Sequence, residues 1–129
     1  MNKSYKFLLF FGFAILLTSC KDKESPEITI VAPAVDAHFT QGTFFQYEIK
    51  VTDDRGLSQI REYIGDVNGV ASTEIVSSGT TSPKGKRAKK HTSSTGFDLS
   101  NGVTGEFYIW VEAADHDGKS MKASRRFFV

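Results

Sequence analysis

Residues 43–52 read TFFQYEIKVT, and this stretch decides the fold. Its apolar side chains, Phe45, Tyr47, Ile49 and Val51, alternate with the polar side chains of Gln46, Glu48 and Lys50. Successive side chains of a β-strand point to opposite faces, so a period of two separates an apolar face from a polar one. The stretch therefore predicts a strand with one face in a core and the other in water.

The chain beyond Pro26 repeats this period of two, with turn residues between the runs and no sustained helical stripe. Six further strands are predicted at residues 27–32, 57–64, 70–77, 97–99, 106–114 and 120–129. Ile60, Ile64, Phe127 and Val129 are predicted to point inward. Seven short strands in about 100 residues favour an antiparallel β-sandwich.

Three strings in this segment resemble the signatures of a known class of module. They are DDRGL at 53–57, GEFYIWVEAADHDGK at 105–119 and the terminal FFV. They are similar to the D-x-x-G-L, G-x-Y-x-V-x-V-x-A-x-D-x-x-G and F-x-V motifs of cadherin-like and fibronectin-like bacterial immunoglobulin-fold modules. The resemblance spans residues 27–129 and implies a single seven-stranded antiparallel immunoglobulin-like β-sandwich. It does not specify a function, because this fold hosts many unrelated functions.

The sequence departs from that pattern at two places. Glu62 stands where the third strand of the fold usually has an inward aliphatic residue, and the loop before the fifth strand is long and basic.

Residues 1–19 form a predicted export signal. Lys3 and Lys6 precede an apolar run at 7–17, and small polar residues follow it. Eleven helical residues rise only about 16 Å, against about 30 Å of hydrocarbon in a bilayer. The run is thus too short for a resident transmembrane helix, and we expect it to direct export and then be removed.

Residues 17–20, LTSC, resemble the bacterial lipobox. The resemblance implies that the thiol of Cys20 receives diacylglycerol and that Cys20 becomes the first residue of the mature chain. The alternative is an ordinary secretory signal, but Cys20 is the only cysteine and therefore has no disulfide partner within the chain. Two or three acyl chains anchor a protein firmly, whereas one anchors it marginally.

The resemblance extends to small Bacteroidota-type lipoproteins of unknown function, in which one such module follows a lipobox directly. Residues 20–26 are then the lipidated cysteine and a short tether. The charged residues 21–24 resemble segments that send such lipoproteins to the outer face of the outer membrane, but here both signs are mixed. Display on the cell surface and location on the periplasmic face both remain open.

Composition and motifs exclude several classes of function. Removing Lys3 and Lys6 with the signal leaves 16 − 2 = 14 basic residues against 15 acidic ones, which predicts no nucleic-acid partner. The chain has no G-x-S-x-G, no phosphate loop and no Cys/His zinc spacing. We therefore expect no enzymatic activity.

A set of aspartates is predicted to meet at one pole of the sandwich, contributed by two loops: Asp53, Asp54, Asp115 and Asp117. Carboxylates are ligands of calcium, which takes six to eight oxygens. The alternative is that these residues accept backbone hydrogen bonds in tight turns. Calcium is thus the one possible cofactor.

A basic loop is predicted at the same pole. It contains Lys84, Lys86, Arg87, Lys89 and Lys90. Such a cluster could contact phosphates of lipid headgroups or another anionic partner, or it could simply be a solvated loop.

An aromatic face is predicted on the outer side of the sheet formed by the third, sixth and seventh strands. Alternation places Arg61, Tyr63, Tyr108, Trp110, Glu112, Arg126 and Phe128 there. These residue types are enriched at interfaces. The face would bind a protein partner or a glycan, unless residues 65–82 fold over it.

The sequence thus predicts a membrane-anchored, non-catalytic binding module of the cell envelope. The alternative is a structural or accessory subunit of an outer-membrane complex that has no ligand of its own.

Overall fold

The computed structural model describes residues 24–75, 78–83 and 88–129. These residues form eight strands: β1 (Glu27–Ala32), β2 (Ala37–His38), β3 (Phe44–Thr52), β4 (Leu57–Gly65), β5 (Ser78–Thr81), β6 (Lys90–Asp98), β7 (Glu106–Asp115) and β8 (Ser120–Phe128). Across the described ranges, no helix has the length and apolar character needed to span a membrane.

The strands form two sheets that pack face to face. One has the order β1-β3-β6, and the other has the order β2-β8-β7-β4-β5. All neighbours are antiparallel except β2 and β8, which are parallel. In the larger sheet β7 pairs with β8 and β4, and in the smaller sheet β3 pairs with β1 and β6, which is the order of an immunoglobulin-like sandwich. The predicted all-β class is confirmed.

The predicted count of seven strands is wrong, because the described residues contain eight. The additional strand is β2, whose two residues pair with Phe127 and Phe128. Asp36, immediately before it, has a φ of 58° and turns the chain from one sheet to the other. Two residues are too few to show alternation in a sequence, so this strand left no periodic signal.

Two predicted strand positions are also wrong. Residues 70–75 contain no strand beyond an isolated bridge between Gly65 and Ala71, and β5 lies further along the chain. The predicted strand at 97–99 is only the end of β6, which begins at Lys90. Most of β6 is polar or small, so its side chains lack the large apolar alternation that marks β3.

An aromatic cluster forms the centre of the core. Phe127 is fully buried, and its ring centroid lies 4.8 Å from that of Phe45 and 5.8 Å from that of Phe107. The predicted inward positions Ile60 and Ile64 are buried, and Val129 packs against the cluster. The two sheets of residues 24–129 enclose a buried apolar core between them, so we expect this segment to fold by itself.

Glu62 points into this core, at the position where the sequence departs from the usual pattern. It is 8% exposed, and its Oε2 accepts hydrogen bonds from Tyr47 Oη at 2.8 Å and Ser93 Oγ at 3.3 Å. His91 Nε2 lies 3.9 Å from Glu62 Oε1. A buried polar group is costly unless it is hydrogen-bonded, and the hydroxyls of Tyr47 and Ser93 provide the donors here.

The two ends of the sandwich differ. At one end, the basal pole, residues 24–26 lie beside the β3–β4 turn (53–56), the β7–β8 turn (116–119) and residues 88–89. Asp53 N donates to Lys89 O at 3.0 Å, and His116 N donates to Gly56 O at 3.1 Å. The other end, the distal pole, contains the β4–β5 connection from residue 66 and the start of β7.

Candidate functional site

The predicted aromatic face exists on the outer side of the five-stranded sheet. The strand register places Tyr63 across from Trp110 and Tyr108 across from Arg126. Glu112 lies across from Arg61 and from Lys122. The structure therefore brings the predicted residues of β4, β7 and β8 together on one surface.

Tyr63 is not available for binding on this face, contrary to the prediction. It is 2% exposed, and its hydroxyl donates to Gly69 O at 3.2 Å and Glu112 Oε1 at 3.0 Å. Arg61 lies over its ring, 4.6 Å from the ring centroid. The beginning of the β4–β5 connection covers Tyr63. The sequence left open the alternative that residues 65–82 fold over the aromatic face, and at Tyr63 this alternative is correct.

Trp110 is partly buried. Its Nε1 donates to Asp66 O at 2.8 Å, and Lys122 Nζ lies 4.5 Å from the centre of its ring. A cation over an indole ring is attracted by the negative face of the π system. Trp110 therefore fixes the β4–β5 connection as well as contributing aromatic surface.

Phe128 and Arg126 form the other half of the face. The Phe128 ring stacks on His38 with centroids 4.9 Å apart, and the Arg126 guanidinium lies 5.4 Å from the same ring. Arg126 also makes a bidentate pair with Asp36, at 2.7 and 3.1 Å. This hydrogen bonding lowers the pKa of the Asp36 carboxyl and raises the pKa of Arg126.

Three contributors to this face were missed from the sequence: Asp36, His38 and Lys122. Lys122 could have been found, because alternation along β8 places it on the same side as Arg126 and Phe128. Asp36 and His38 could not, because they reach the face through the short parallel strand β2.

Lys122 and Tyr63 control the ionisation of Glu112. The hydrogen bond from Lys122, at 2.9 Å, is the largest cause that lowers the pKa of Glu112, and the Tyr63 hydroxyl adds to it. A carboxyl whose pKa is depressed on folding contributes stability above its unfolded pKa, and this contribution is lost as the pH falls through the folded value.

Lys122→Gln is therefore expected to raise the pKa of Glu112, because the closest cation is removed. The pKa can be measured from the side-chain carboxyl signal during an NMR pH titration. Lys119→Gln, in the β7–β8 turn, is the matched control and should leave that pKa unchanged. An unchanged Glu112 titration in Lys122→Gln would contradict the assigned cause.

A groove of about 450 Å³ lies at the distal pole, between the β4–β5 connection and the start of β7. It is lined by Gly65, Asp66, Val70, Ala71, Ser72, Thr73, Glu74, Thr104, Glu106 and Phe107. Three of these residues carry carboxylates, and none of the described lining residues is a lysine or arginine. Val67 and Val70 of the same connection are largely exposed, by 59% and 64%.

The groove adjoins the aromatic face. Tyr108 Oη donates to Glu106 Oε1 at 2.7 Å, and Trp110 is hydrogen-bonded to Asp66, so both rings contact residues that line the groove. The two ring centroids are 6.3 Å apart. Sequence analysis missed the groove because residues 70–77 were predicted to form a strand, whereas residues 70–75 belong to a connection that folds back on the sheet.

The predicted calcium site does not fit the geometry. Asp53 Oδ2 accepts from the backbone N–H groups of Arg55 and Gly56, and Asp115 Oδ1 accepts from those of Asp117 and Lys119. Asp53 Oδ1 and Asp115 Oδ2 are buried without a hydrogen-bond partner. Even so, the described residues contain no group of three or more acidic, histidine or cysteine side chains that could hold a metal ion. Asp53 and Asp115 thus accept backbone hydrogen bonds in tight turns, which was the alternative to calcium binding.

The basic loop is only partly described. Lys89 and Lys90 are exposed near the basal pole, while Lys84, Lys86 and Arg87 lie outside the described residues. The predicted signal peptide, residues 1–19, and Cys20 also lie outside them.

No protein-family model matches the chain, and no curated protein matches it. Among solved structures, the chain is similar to the fibronectin(III)-like modules of Clostridium thermocellum CbhA, with 20% sequence identity and a TM-score of 0.46. The alignment covers 81% of this chain and 46% of that chain, so the similarity spans less than half of the length of that chain. The fold and the site together define an immunoglobulin-like β-domain with a groove beside an aromatic sheet face.

Proposed function

We propose that this protein is a lipid-anchored, non-catalytic binding module of the bacterial cell envelope, and that its distal groove binds a glycan. The observation that carries the proposal is the groove of about 450 Å³ that combines three carboxylates with a neighbouring Tyr–Trp pair. Its volume is within the range of about 300–1,000 Å³ that small-molecule sites occupy.

The chemistry of the groove suits a polyhydroxylated ligand. Carboxylates accept hydrogen bonds from hydroxyl groups. Glu74 is exposed, whereas Asp66 already accepts from backbone N–H groups and Glu106 from Tyr108. Aromatic rings such as those of Tyr108 and Trp110 offer an apolar surface to the C–H faces of sugar rings. Two of the three histidines are engaged elsewhere in the domain: His38 stacks on Phe128, and His91 lies beside Glu62.

The position of the groove agrees with an N-terminal anchor. Glu24 and Ser25 lie beside Asp53 and Asp54 at the basal pole, around a small cavity of about 240 Å³. Strand β7 runs from Glu106 at the groove to Asp115 at the basal pole, a distance of about 30 Å at about 3.3 Å per residue. A chain tethered to the outer membrane through Cys20 would therefore present the groove away from the lipid surface, on the cell surface or the periplasmic face.

Removing a groove carboxylate is expected to weaken glycan binding. Residues 24–129 would be applied to a glycan array, and the affinity of any ligand found would be measured by calorimetry. Glu74→Gln should weaken binding about tenfold, because it replaces a charge-assisted hydrogen bond of roughly 1.5–3 kcal/mol by a neutral one of about 0.5–1.5 kcal/mol. Glu27→Gln, an equally exposed glutamate at the basal pole, is the matched control and should leave the affinity unchanged.

A folded domain that binds no glycan on the array would contradict the proposal. So would a Glu74→Gln variant that binds the ligand with the same affinity as the unmodified domain. The exposed Val67 and Val70 favour a second candidate, a structural or accessory subunit that docks this rim on a larger outer-membrane complex. Retention by such a complex that is lost in Val67→Asp would support that candidate.

A further inference from the structure

Strand β6 is an edge strand with an unusually regular backbone. It pairs with β3 over nine consecutive residue pairs without a register shift, whereas the β1–β3 and β4–β7 pairings each contain one. In the part of the chain that the structure describes, no strand pairs with the other side of β6. Natural proteins usually interrupt such edges with a bulge or a proline, because an open edge is a template for another strand.

The hydrogen-bond pattern shows which residues face the free edge. Leu99 N donates to Thr43 O at 2.9 Å, and Asp53 N donates to Lys89 O at 3.0 Å. Bonded and non-bonded pairs alternate in an antiparallel ladder, so the odd-numbered residues of β6 bond to β3. The even-numbered residues therefore direct their N–H and C=O groups to the free edge: Lys90, Thr92, Ser94, Gly96 and Asp98.

We propose that this edge pairs with the same edge of a second copy of the chain, antiparallel and centred on Ser94. In this register Lys90 faces Asp98 of the second copy, and Asp98 faces Lys90, so opposite charges meet at both ends of the interface. The same register pairs even-numbered residues with even-numbered residues, which is the arrangement that the free N–H and C=O groups require. Charge and backbone pattern thus select the same partner and the same register.

Phe44 supports this pairing. It is 63% exposed, and its ring covers Gly96, which has no side chain of its own. In the proposed register Thr92 of the second copy lies across from Gly96, beside that ring. Pairing would therefore cover one of the most exposed aromatic side chains of the domain.

Antiparallel pairing also sets the orientation of the two copies. Because the strands run in opposite directions, the two basal poles lie at opposite ends of the dimer. Chains that are tethered as in the proposed function would then pair between two facing membranes rather than within one. This consequence rests on the proposed anchor, whereas the dimer itself does not.

Sedimentation of residues 24–129 over a concentration series tests the pairing. The unmodified chain should form a dimer, and Ser94→Pro should raise the dissociation constant at least a hundredfold. Proline removes an N–H that faces the free edge, so the ladder with β3 stays intact. Circular dichroism would verify that this variant is folded. A chain that stays monomeric at every concentration overturns the proposal. The free edge of β6 would then be a pairing site for a strand of another protein.

Charge exchange tests the register. Lys90→Glu alone places like charges across both ends of the interface and should weaken the dimer about tenfold. Opposite charges that face each other across two strands stabilise the pairing, and like charges destabilise it. Lys90→Glu combined with Asp98→Lys restores opposite charges and should restore the dimer. Lys50→Glu, on the central strand β3, is the control and should have little effect. A dimer that ignores all these changes uses another surface, and the proposal is then wrong.

A vesicle experiment separates this inference from the proposed anchor. Residues 24–129 would be coupled through an added N-terminal cysteine to phosphatidylcholine vesicles that contain a maleimide-bearing lipid, to which the thiol adds. Vesicles that carry the unmodified chain should cluster, and those that carry Ser94→Pro should not. A dimer in solution without clustering of vesicles would contradict the facing orientation while leaving the pairing in place.

Discussion

Phe127→Ala is expected to lower the free energy of unfolding by about 3–5 kcal/mol, the usual cost of removing a buried phenylalanine from a core. Phe127 is fully buried, and its ring packs against Phe45, Phe107 and Phe39. Alanine would leave a cavity between the two sheets that aromatic neighbours cannot close. Denaturant unfolding of residues 24–129, followed by tryptophan fluorescence and circular dichroism, measures the change.

Phe44→Ala is the matched control for this prediction. Phe44 is also a phenylalanine on a strand, but it lies on the outer face and is 63% exposed. Its removal should cost less than about 1.5 kcal/mol, because little apolar surface returns to water. If the two variants lost equal stability, the aromatic cluster around Phe127 would not be the centre of the core.

Glu62→Leu is expected to lower the free energy of unfolding by about 1–3 kcal/mol, although it replaces a buried charged residue with an apolar one. The substitution removes the acceptor of the hydrogen bonds from Tyr47 and Ser93. A buried donor left without that acceptor bears a desolvation cost of about 1–3 kcal/mol. The change can be measured by denaturant unfolding.

The double variant Tyr47→Phe with Glu62→Leu should recover most of this loss. When both partners of a buried hydrogen bond become apolar, the net effect is often close to neutral. Ser58→Ala, at a half-buried hydroxyl that bonds to backbone carbonyls at the basal pole, controls for the loss of a polar group elsewhere. A double variant whose loss equals the sum of the single losses would show that Tyr47 and Glu62 are not coupled.

The parts of the fold that could be predicted are those in which large apolar residues alternate with polar ones. Strands β3 and β7 have this pattern over nine and ten residues, and their predicted and observed limits nearly coincide. Strand β6 does not, because the residues on its side toward the other sheet are mostly polar. His91 and Ser93 lie against Glu62, and Thr95 is exposed and bonds to Ser93. Its polar sequence predicted a loop, and its pairing with β3 made it a strand.

The candidate site was predictable only in part. Alternation correctly placed Trp110, Tyr108 and Arg126 on one face, because the period of a strand determines which side chains share a surface. It could not predict that Asp66 and Gly69 would accept hydrogen bonds from Trp110 and Tyr63 and so bring the β4–β5 connection over the sheet. That tertiary contact buries Tyr63 and creates the groove, and no local pattern encodes it.

The measurement that tests the central claim most directly is an NMR titration of ¹⁵N-labelled residues 24–129 with the tightest ligand from a glycan array. The account predicts that chemical-shift changes concentrate at residues 65–74 and 104–110, around the distal groove. Shift changes confined to the basal pole or to β6, with the groove residues unaffected, would contradict the claim that the groove is the binding site.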